Sequence, residues 1–223
     1  MVDLGQKVRN YTKAFKRKTF GISYGETWQG RDNKFYERLH RDGLIEHTKF
    51  LAYLKSKKDV KTILEIGCGS GVYPIKYKDI FEKFDYTGID ISKSAIKFCQ
   101  ENSDFNFICG DFQKMKLANK YDLIFSQGVI HHVYDIGVFL SNIVEKSKKY
   151  AYILSSLGYS DELEDHKMEW SENQAVYNSI LSSKQVIKTL VASGLKENQF
   201  SISPSETDSE NSTGTLIDIN KTV

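Results

Sequence analysis

Two periodicities of apolar residues alternate over the middle of the chain. Five short apolar runs have the length of buried strands: 62–66, 86–89, 106–108, 121–126 and 150–155. Three amphipathic stretches between these runs have the length of helices: 73–84, 93–102 and 136–146. Strands that alternate with helices form a parallel sheet covered by helices on both faces, so the pattern predicts an α/β fold.

The alternation changes after the fifth run. Residues 158–177 are polar and irregular in pattern, and we expect them to form an insertion that acts as a lid or substrate wall, because structureless loops of such length commonly have these roles. The alternative is a disordered segment. Ser182, with Gln185 three positions later, is typical of a helix N-cap, and that helix should end near Gly194. Two final strands are predicted near residues 200–202 and 215–220.

The part of the chain before the first strand is helical and polar in pattern. We expect residues 1–57 to form a cap over a core at 58–223, with a second helical stretch at 33–55. Basic residues cluster near its start, and they either form the solvated face of an amphipathic helix or contact a phosphate-bearing substrate: Lys7, Arg9, Lys13, Lys16, Arg17 and Lys18.

Length and charge narrow the class of protein. The 223 residues suit one domain with a substantial core, and the formal charge of +2 indicates no strong general attraction to nucleic acid or to acidic membranes. Cys68, Cys99 and Cys109 have neither disulfide-framework nor metal-ligand spacing, which favours a reducing compartment. The beginning of the chain has no apolar signal segment, and no apolar run approaches the ~18 residues that cross a bilayer. We therefore expect a cytoplasmic protein.

The strand at 62–66 leads into the glycine-rich sequence EIGCGSG. Glycines at Gly67, Gly69 and Gly71 allow a sharp turn and a close approach of the backbone to a nucleotide-like ligand. In the dinucleotide motif the third glycine comes one position later, where this chain has Val72. The carboxylate of Glu65 would repel a pyrophosphate and attract a cationic ligand, so S-adenosylmethionine (SAM) is favoured over NAD.

Three further segments follow in the same order as in a known family. Asp90 ends the second predicted strand, Asp111 and Phe112 end the third, and residues 121–133 form the fourth strand with its following loop. With the glycine loop, these segments resemble the class I SAM-dependent methyltransferases. The resemblance implies a mostly parallel seven-stranded, Rossmann-like sheet that closes with an antiparallel C-terminal hairpin.

The resemblance also implies a set of cofactor-binding residues. Those near the glycine loop would surround the methionyl group and ribose, Asp90 would bind the ribose hydroxyls, and Asp111 with Phe112 would hold the adenine. The set comprises Glu65, Gly67, Cys68, Gly69, Gly71, Asp90, Ile91, Asp111, Phe112, Ser126 and Gln127. Asp90 and Asp111 have an alternative role as helix caps.

Aromatic and basic residues in the N-terminal sequence YGETWQGRD are further candidates. An N-terminal segment closes over the cofactor in related enzymes, so Tyr24, Trp28 and Arg31 are candidates to cover the sulfonium and meet the carboxylate of SAM. The alternative is ordinary packing against the edge of the sheet.

Three histidines are the candidates for acid–base chemistry. His131 and His132 follow the fourth strand, close to the expected position of the transferred methyl group, and either could accept a proton from the methyl acceptor. His166, in the insertion, could reach the same pocket. The alternatives are a packed role for the pair and a surface position for His166.

The resemblance predicts an enzyme that uses SAM, forms S-adenosylhomocysteine (SAH) and needs no metal. We expect methylation of oxygen or nitrogen in a small-molecule acceptor such as a sugar, a lipid precursor or another metabolite. An RNA or protein methyltransferase is the first alternative, although the fourth strand ends in SQGV and lacks the Asn/Asp-Pro-Pro-aromatic sequence typical of base N-methylation. A non-catalytic SAM-binding regulatory protein is the second. The oligomeric state does not follow from the sequence.

Overall fold

The structure is a computed structural model that describes residues 23–40, 45–206 and 213–223. The basic cluster at residues 7–18 and the first part of the predicted cap lie outside the described residues. Strands within the described ranges are β1 (Thr62–Ile66), β2 (Asp85–Asp90), β3 (Asn106–Cys109), β4 (Tyr121–Gln127), β5 (Ser147–Ser155), β6 (Tyr159–Ser160), β7 (Lys167–Ser171), β8 (Val176–Ser182), β9 (Phe200–Glu206) and β10 (Thr213–Asn220).

Helices in the same ranges cover both faces of the sheet. They are α1 (Asn33–Leu39), α2 (Ile45–Ser56), α3 (Val72–Lys76), α4 (Lys78–Phe81), α5 (Lys93–Asn102), α6 (Ile136–Lys146) and α7 (Ser183–Ala192). Short 3₁₀ turns occur at Glu26–Trp28, Ile130–His132 and Glu197–Gln199.

The main sheet has seven strands in the order β3-β2-β1-β4-β5-β10-β9. Neighbours from β3 to β5 pair in parallel, and β10 pairs antiparallel with both β5 and β9. The predicted α/β fold with a closing antiparallel pair is therefore confirmed. Pro204 lies in β9 at the sheet edge, where its missing N–H removes no bond from a central ladder.

Two apolar layers hold the helices against the sheet. On one face, Phe139 and Leu140 of α6 pack with Leu190 of α7. On the other, Phe50 of α2 stacks on Phe125 of β4 with ring centroids 4.0 Å apart. Full burial of such a side chain stabilises the fold by about 1.5–3 kcal/mol.

Two helix predictions differ from the structure. The stretch predicted at 33–55 contains two helices, α1 and α2, and α1 ends at Leu39 with His40 as its C-cap. The stretch predicted at 73–84 divides at Tyr77, whose φ of −112° and ψ of 40° are not helical. The helices at 93–102 and 136–146 were predicted with their correct ends.

The prediction that residues 158–177 lack regular structure is wrong. β6, β7 and β8 form a three-stranded sheet in the order β6-β8-β7, and β8 runs directly into α7. β8 buries Val176 and Leu181, whereas β7 exposes Lys167 and Glu169, so its sequence has the composition of a loop. The insertion is therefore an ordered β-sheet that can fix the positions of residues beside the main sheet.

Among the described residues, no helix is long and apolar enough to cross a membrane.

Candidate functional site

A largely apolar cavity of about 300 Å³ opens where β1, β2 and β4 end. This position, at the carboxyl ends of parallel strands, is where α/β folds bind ligands. Eleven of the predicted site residues line it: Tyr24, Trp28, Arg31, Gly67, Gly69, Asp90, Ile91, Asp111, Phe112, Gln127 and His132. Six others are not part of its described lining: Glu65, Cys68, Gly71, Ser126, His131 and His166.

The three glycines of the loop after β1 have different roles. Gly67 has a φ of 76°, and a Cβ there would lie 2.2 Å from Cγ2 of Val129, so a side chain is excluded by contact as well as by conformation. Gly69 also has a positive φ, 51°, but a Cβ there would meet no atom within 4 Å, so its backbone borders open space. Gly71 is the N-cap of α3 and packs against Cys99, and it does not line the cavity.

Asp90 is held in place by two backbone donors, one from the glycine loop and one from the residue before α5. Its Oδ2 accepts a hydrogen bond from the N–H of Gly69 at 2.8 Å, and its Oδ1 accepts one from Ser92 at 2.7 Å. Burial raises the pKa of this carboxyl, while the two backbone donors lower it. Each oxygen keeps lone-pair capacity after these bonds, so the carboxylate can accept two ligand hydroxyl groups.

Asp111 and Phe112 form a second polar and apolar pair at the end of β3. Oδ1 of Asp111 accepts from the N–H of Gln113 at 3.0 Å, and Oδ2 accepts from the Tyr134 hydroxyl at 3.0 Å. Phe112 is buried against Phe139 with an edge-to-face geometry at 5.6 Å. An apolar slot beside a carboxylate suits a flat heterocycle that carries an amino group.

Glu65 is buried beneath the glycine loop instead of lining the cavity. Its carboxyl accepts a short hydrogen bond from the hydroxyl of Tyr86 and is 5 % exposed. Burial raises the pKa of Glu65 to about 8, and the bond from Tyr86 opposes that change. A direct contact between Glu65 and a ligand, implied by the resemblance, is not seen in the geometry of the cavity wall.

The end of β4 presents one side chain to the cavity and buries its neighbour. Oε1 of Gln127 accepts from the Tyr73 hydroxyl at 2.6 Å, and Nε2 of Gln127 is buried without a hydrogen-bond partner among the described residues. Ser126 is fully buried, and its hydroxyl donates to the carbonyl of Ile66 at 2.9 Å. Cys68 is a free, buried thiol in the core.

The two adjacent histidines after β4 differ in environment. His131 is 4 % exposed, its Nδ1 lies 3.1 Å from the Ser155 hydroxyl, and burial lowers its pKa to about 3. His132 lines the cavity, and its Nδ1 lies 2.8 Å from the carbonyl oxygen of Tyr177. Because a carbonyl only accepts, Nδ1 of His132 must carry the proton, and in the neutral ring Nε2 has the lone pair.

His166 has a structural position that neither sequence-based interpretation anticipated. Its Nδ1 accepts a hydrogen bond from the backbone N–H of Ser182 at 3.0 Å, and it is partly buried. It therefore joins the insertion to the start of α7, where Ser182 also caps the helix by accepting from the N–H of Gln185. The prediction that His166 reaches the pocket is not supported by this placement.

The N-terminal segment at residues 23–31 lies over the cavity together with α1. Tyr24 packs edge-to-face on Tyr134 with ring centroids 5.0 Å apart, and the ring centroids of Trp28 and His132 are 6.0 Å apart. Arg31 lies over the ring of Phe35 at 4.7 Å. α1 adds three lining residues for which the sequence predicted no place in the site: Phe35, Tyr36 and Leu39. Their amphipathic spacing was the only available signal, and it does not distinguish a core face from a cavity wall.

These residues fit SAM by their donor and acceptor chemistry. The close backbone approach at Gly69, the remaining lone pairs of Asp90 and the apolar surface of Phe112 beside Asp111 are features that a nucleoside cofactor of this kind requires. Within the described ranges, no group of three or more His, Cys, Asp or Glu side chains has an arrangement that could hold a metal ion.

A family model described as a methyltransferase domain matches residues 57–218. The chain is 25% identical over 146 residues to a malonyl-(acyl-carrier protein) O-methyltransferase from Acetivibrio thermocellus. The aligned segment covers 60% of this chain and 50% of the relative. It is 28% identical over 130 residues to a ubiquinone biosynthesis O-methyltransferase from Rickettsia bellii, covering 55% of this chain and 53% of the relative. The chain spans about a third to a half of the length of the first curated relatives it matches.

Solved structures show the same fold at low sequence identity. The N-terminal domain of EvdMO1 with SAH bound has a TM-score of 0.62 at 14% identity, covering 95% of this chain and 96% of that one. The magnesium protoporphyrin IX methyltransferase of Synechocystis with SAM bound has a TM-score of 0.56 at 15% identity, with coverage of 95% and 96%. With the family match over most of its length, this chain belongs to the class I SAM-dependent methyltransferases.

Proposed function

We propose that this protein transfers the methyl group of SAM to an oxygen atom of a small-molecule acceptor, with His132 as the general base. The observation that carries the proposal is the hydrogen bond from Nδ1 of His132 to the carbonyl of Tyr177. It leaves the lone pair on Nε2 of a residue in the cavity wall.

When bound, SAM supplies a methyl group already activated by the positive sulfonium. The protein then has to align the acceptor, exclude water and remove one proton. The apolar wall that includes Trp28 and Val129 excludes water, and Nε2 of His132 accepts the proton from the acceptor hydroxyl. The backbone carbonyl of Tyr177 stabilises the imidazolium that results, because it continues to accept from Nδ1.

The choice of an oxygen acceptor rests on the relatives. The relatives described above are named as O-methyltransferases. A further relative is a fatty-acid O-methyltransferase from Mycolicibacterium smegmatis, which is 26% identical to this chain over 143 residues. The mostly apolar cavity suits an acceptor with an apolar body. Nitrogen acceptors, RNA, protein and a purely regulatory role are the competing hypotheses.

The test is methyl transfer from isotopically labelled SAM to acceptors of each class. We expect labelled product from small hydroxyl compounds, and none from amines, RNA or protein supplied at equal concentration. Preferential transfer to carboxylates, which carry no proton near pH 7, would contradict the base role of His132. Transfer to RNA or protein in preference would overturn the acceptor class. Tight SAH binding without transfer to any acceptor in the panel would favour the regulatory role.

A further inference from the structure

The segment Ser23–Arg31, here called the strap, is attached at both of its ends. At one end the N–H of Gly25 donates to the carbonyl of Ala175 at 2.8 Å, and the Thr27 hydroxyl donates to the carbonyl of Asn173 at 3.2 Å. Both acceptors lie in the turn between β7 and β8 of the insertion. The strap is therefore joined directly to the insertion.

The other end of the strap is attached to the connection between β2 and α5. Gln29 makes a double contact there: its Nε2 donates to the carbonyl of Ile91 at 2.8 Å, and its Oε1 accepts from the N–H of Lys93 at 3.0 Å. The Ser92 hydroxyl donates to the carbonyl of Trp28 at 2.5 Å. Since Ile91, Ser92 and Trp28 all line the cavity, the strap extends from the cofactor side of the cavity to the insertion.

The turn that receives the strap lies next to the group that orients His132. Ala175 is separated by one residue from Tyr177, whose carbonyl accepts from Nδ1 of His132. Ala175 is fully buried and has a φ of 54°, in the left-handed region that disfavours side chains. A strained conformation of this kind persists when its surroundings hold it, and the bond from Gly25 is one of the contacts that do so.

We propose that the strap and the turn act together, so that attachment of the strap holds His132 in the tautomer with its lone pair on Nε2. The inference rests on the proposed function of His132. It assigns Thr27 and Gln29 as positioning residues, because their contacts reach His132 only through the strap and the insertion. When the strap detaches, the turn relaxes, the Tyr177 carbonyl moves from Nδ1, and the ring samples both tautomers. The base is then assembled only while the cavity is covered.

The test compares a strap variant with matched controls in the full-length protein. Thr27→Val combined with Gln29→Ala removes both side-chain attachments. Thr27→Ser keeps the hydroxyl, and Lys93→Ala keeps the backbone N–H that Gln29 accepts from. The readout is the tautomer of His132 from ¹⁵N shifts of its ring nitrogens, with SAH bound at saturation, alongside kcat.

We expect one tautomer in the parent and in both controls, with protonated Nδ1. The double variant should show a mixture of tautomers and a kcat reduced at least ~10-fold, with the acceptor KM changed much less, because the base acts in the chemical step. Thr27→Val alone should give an intermediate mixture, which keeps the test informative if the double variant is unstable.

An unchanged tautomer in a correctly folded double variant would overturn the coupling. A parent protein with the single tautomer but no methyl transfer would instead contradict the proposed function and leave the coupling in place. The two failures are therefore distinguishable.

Discussion

The two sides of the cavity are built in different ways. On the cofactor side, each carboxylate accepts one hydrogen bond from a near neighbour in the sequence: Asp90 accepts from Ser92 and Asp111 from Gln113, each two residues later. Their second hydrogen bonds come from Gly69 and Tyr134, which are more distant in the sequence. On the opposite side, His132 depends on Tyr177, 45 residues away, and Gly25 bonds to Ala175 in a different part of the chain. A side that is ordered in part by local turns is more readily recognised from the sequence than a side assembled from distant segments, which requires the structure.

The largest effect on activity is expected on the side of the cavity that contains His132. His132→Ala should lower kcat by ~10² to 10⁴ while SAH affinity stays nearly constant, because the base acts on the acceptor. Steady-state kinetics and calorimetry on the same sample measure both quantities. His131→Asn is the matched control, since it changes the adjacent histidine that does not line the cavity. Equal losses of kcat in the two variants would contradict the assignment.

The pH profile of the parent sharpens the same point. Burial lowers the pKa of His132, opposed by its bond to Tyr177. A base with a pKa below its ordinary value is already neutral near pH 7, so kcat/KM should be flat there and fall only as pH drops through that lowered pKa. This fall of kcat/KM at low pH should be absent from the residual activity of His132→Ala.

The next largest effect, on cofactor affinity, is expected on the side of the cavity that contains Asp90. Asp90→Asn should weaken SAH binding ~10- to 100-fold, because the ribose hydroxyls lose a charged acceptor. Asp104→Asn, an exposed residue before β3, is the control and should bind like the parent. Isothermal titration gives both dissociation constants. Unchanged affinity in Asp90→Asn would show that the carboxylate only orders the Gly69 and Ser92 backbone.

A smaller and pH-dependent effect is expected at His131. Its folded-state pKa of about 3 lies below the ordinary value, so the unfolded chain binds a proton that the folded chain does not. Stability should therefore fall as pH decreases from about 6 to about 4, with this residue contributing up to ~1.4 kcal/mol per pH unit. Urea unfolding of the parent and of His131→Asn across this range tests the contribution. Parallel slopes in the two proteins would refute it.

The smallest effect is expected at the turn of the insertion. Ala175→Gly relieves the left-handed conformation but increases the entropy of the unfolded chain, so the net stabilisation should be under ~1 kcal/mol. Thermal unfolding measures it. A clear loss of stability would mean that the Ala175 methyl group contributes packing that exceeds the strain.

Capping residues explain why some elements were predicted with correct ends. The Ser92 side chain accepts from the N–H of Ala95 at the start of α5, and the Asp135 side chain accepts from the N–H of Val138 at the start of α6. The local sequence therefore determines where each of these two helices begins. β7 was missed because a strand with one solvated face has Lys167 and Glu169 where a buried strand has apolar residues. Its existence depends on pairing with β8, which is a tertiary property.

The candidate site divides along the same line. Asp90 and Asp111 were placed from the strand ends that carry them. Nothing in the sequence distinguishes His131 from His132, because a single step along the 3₁₀ turn at Ile130–His132 decides which ring is buried and which lines the cavity. The role of α1 in the cavity wall also depends on where the helix docks, for which its own sequence has no marker.

The most direct test of the central claim compares Asp90→Asn and His132→Ala side by side for SAH affinity and for single-turnover methyl transfer. The account predicts a double dissociation. Asp90→Asn should lose affinity and retain much of its transfer rate at saturating SAM, whereas His132→Ala should keep its affinity and lose the transfer rate. Parallel losses of both quantities in both folded variants would contradict the division of the cavity into a cofactor side and a base side.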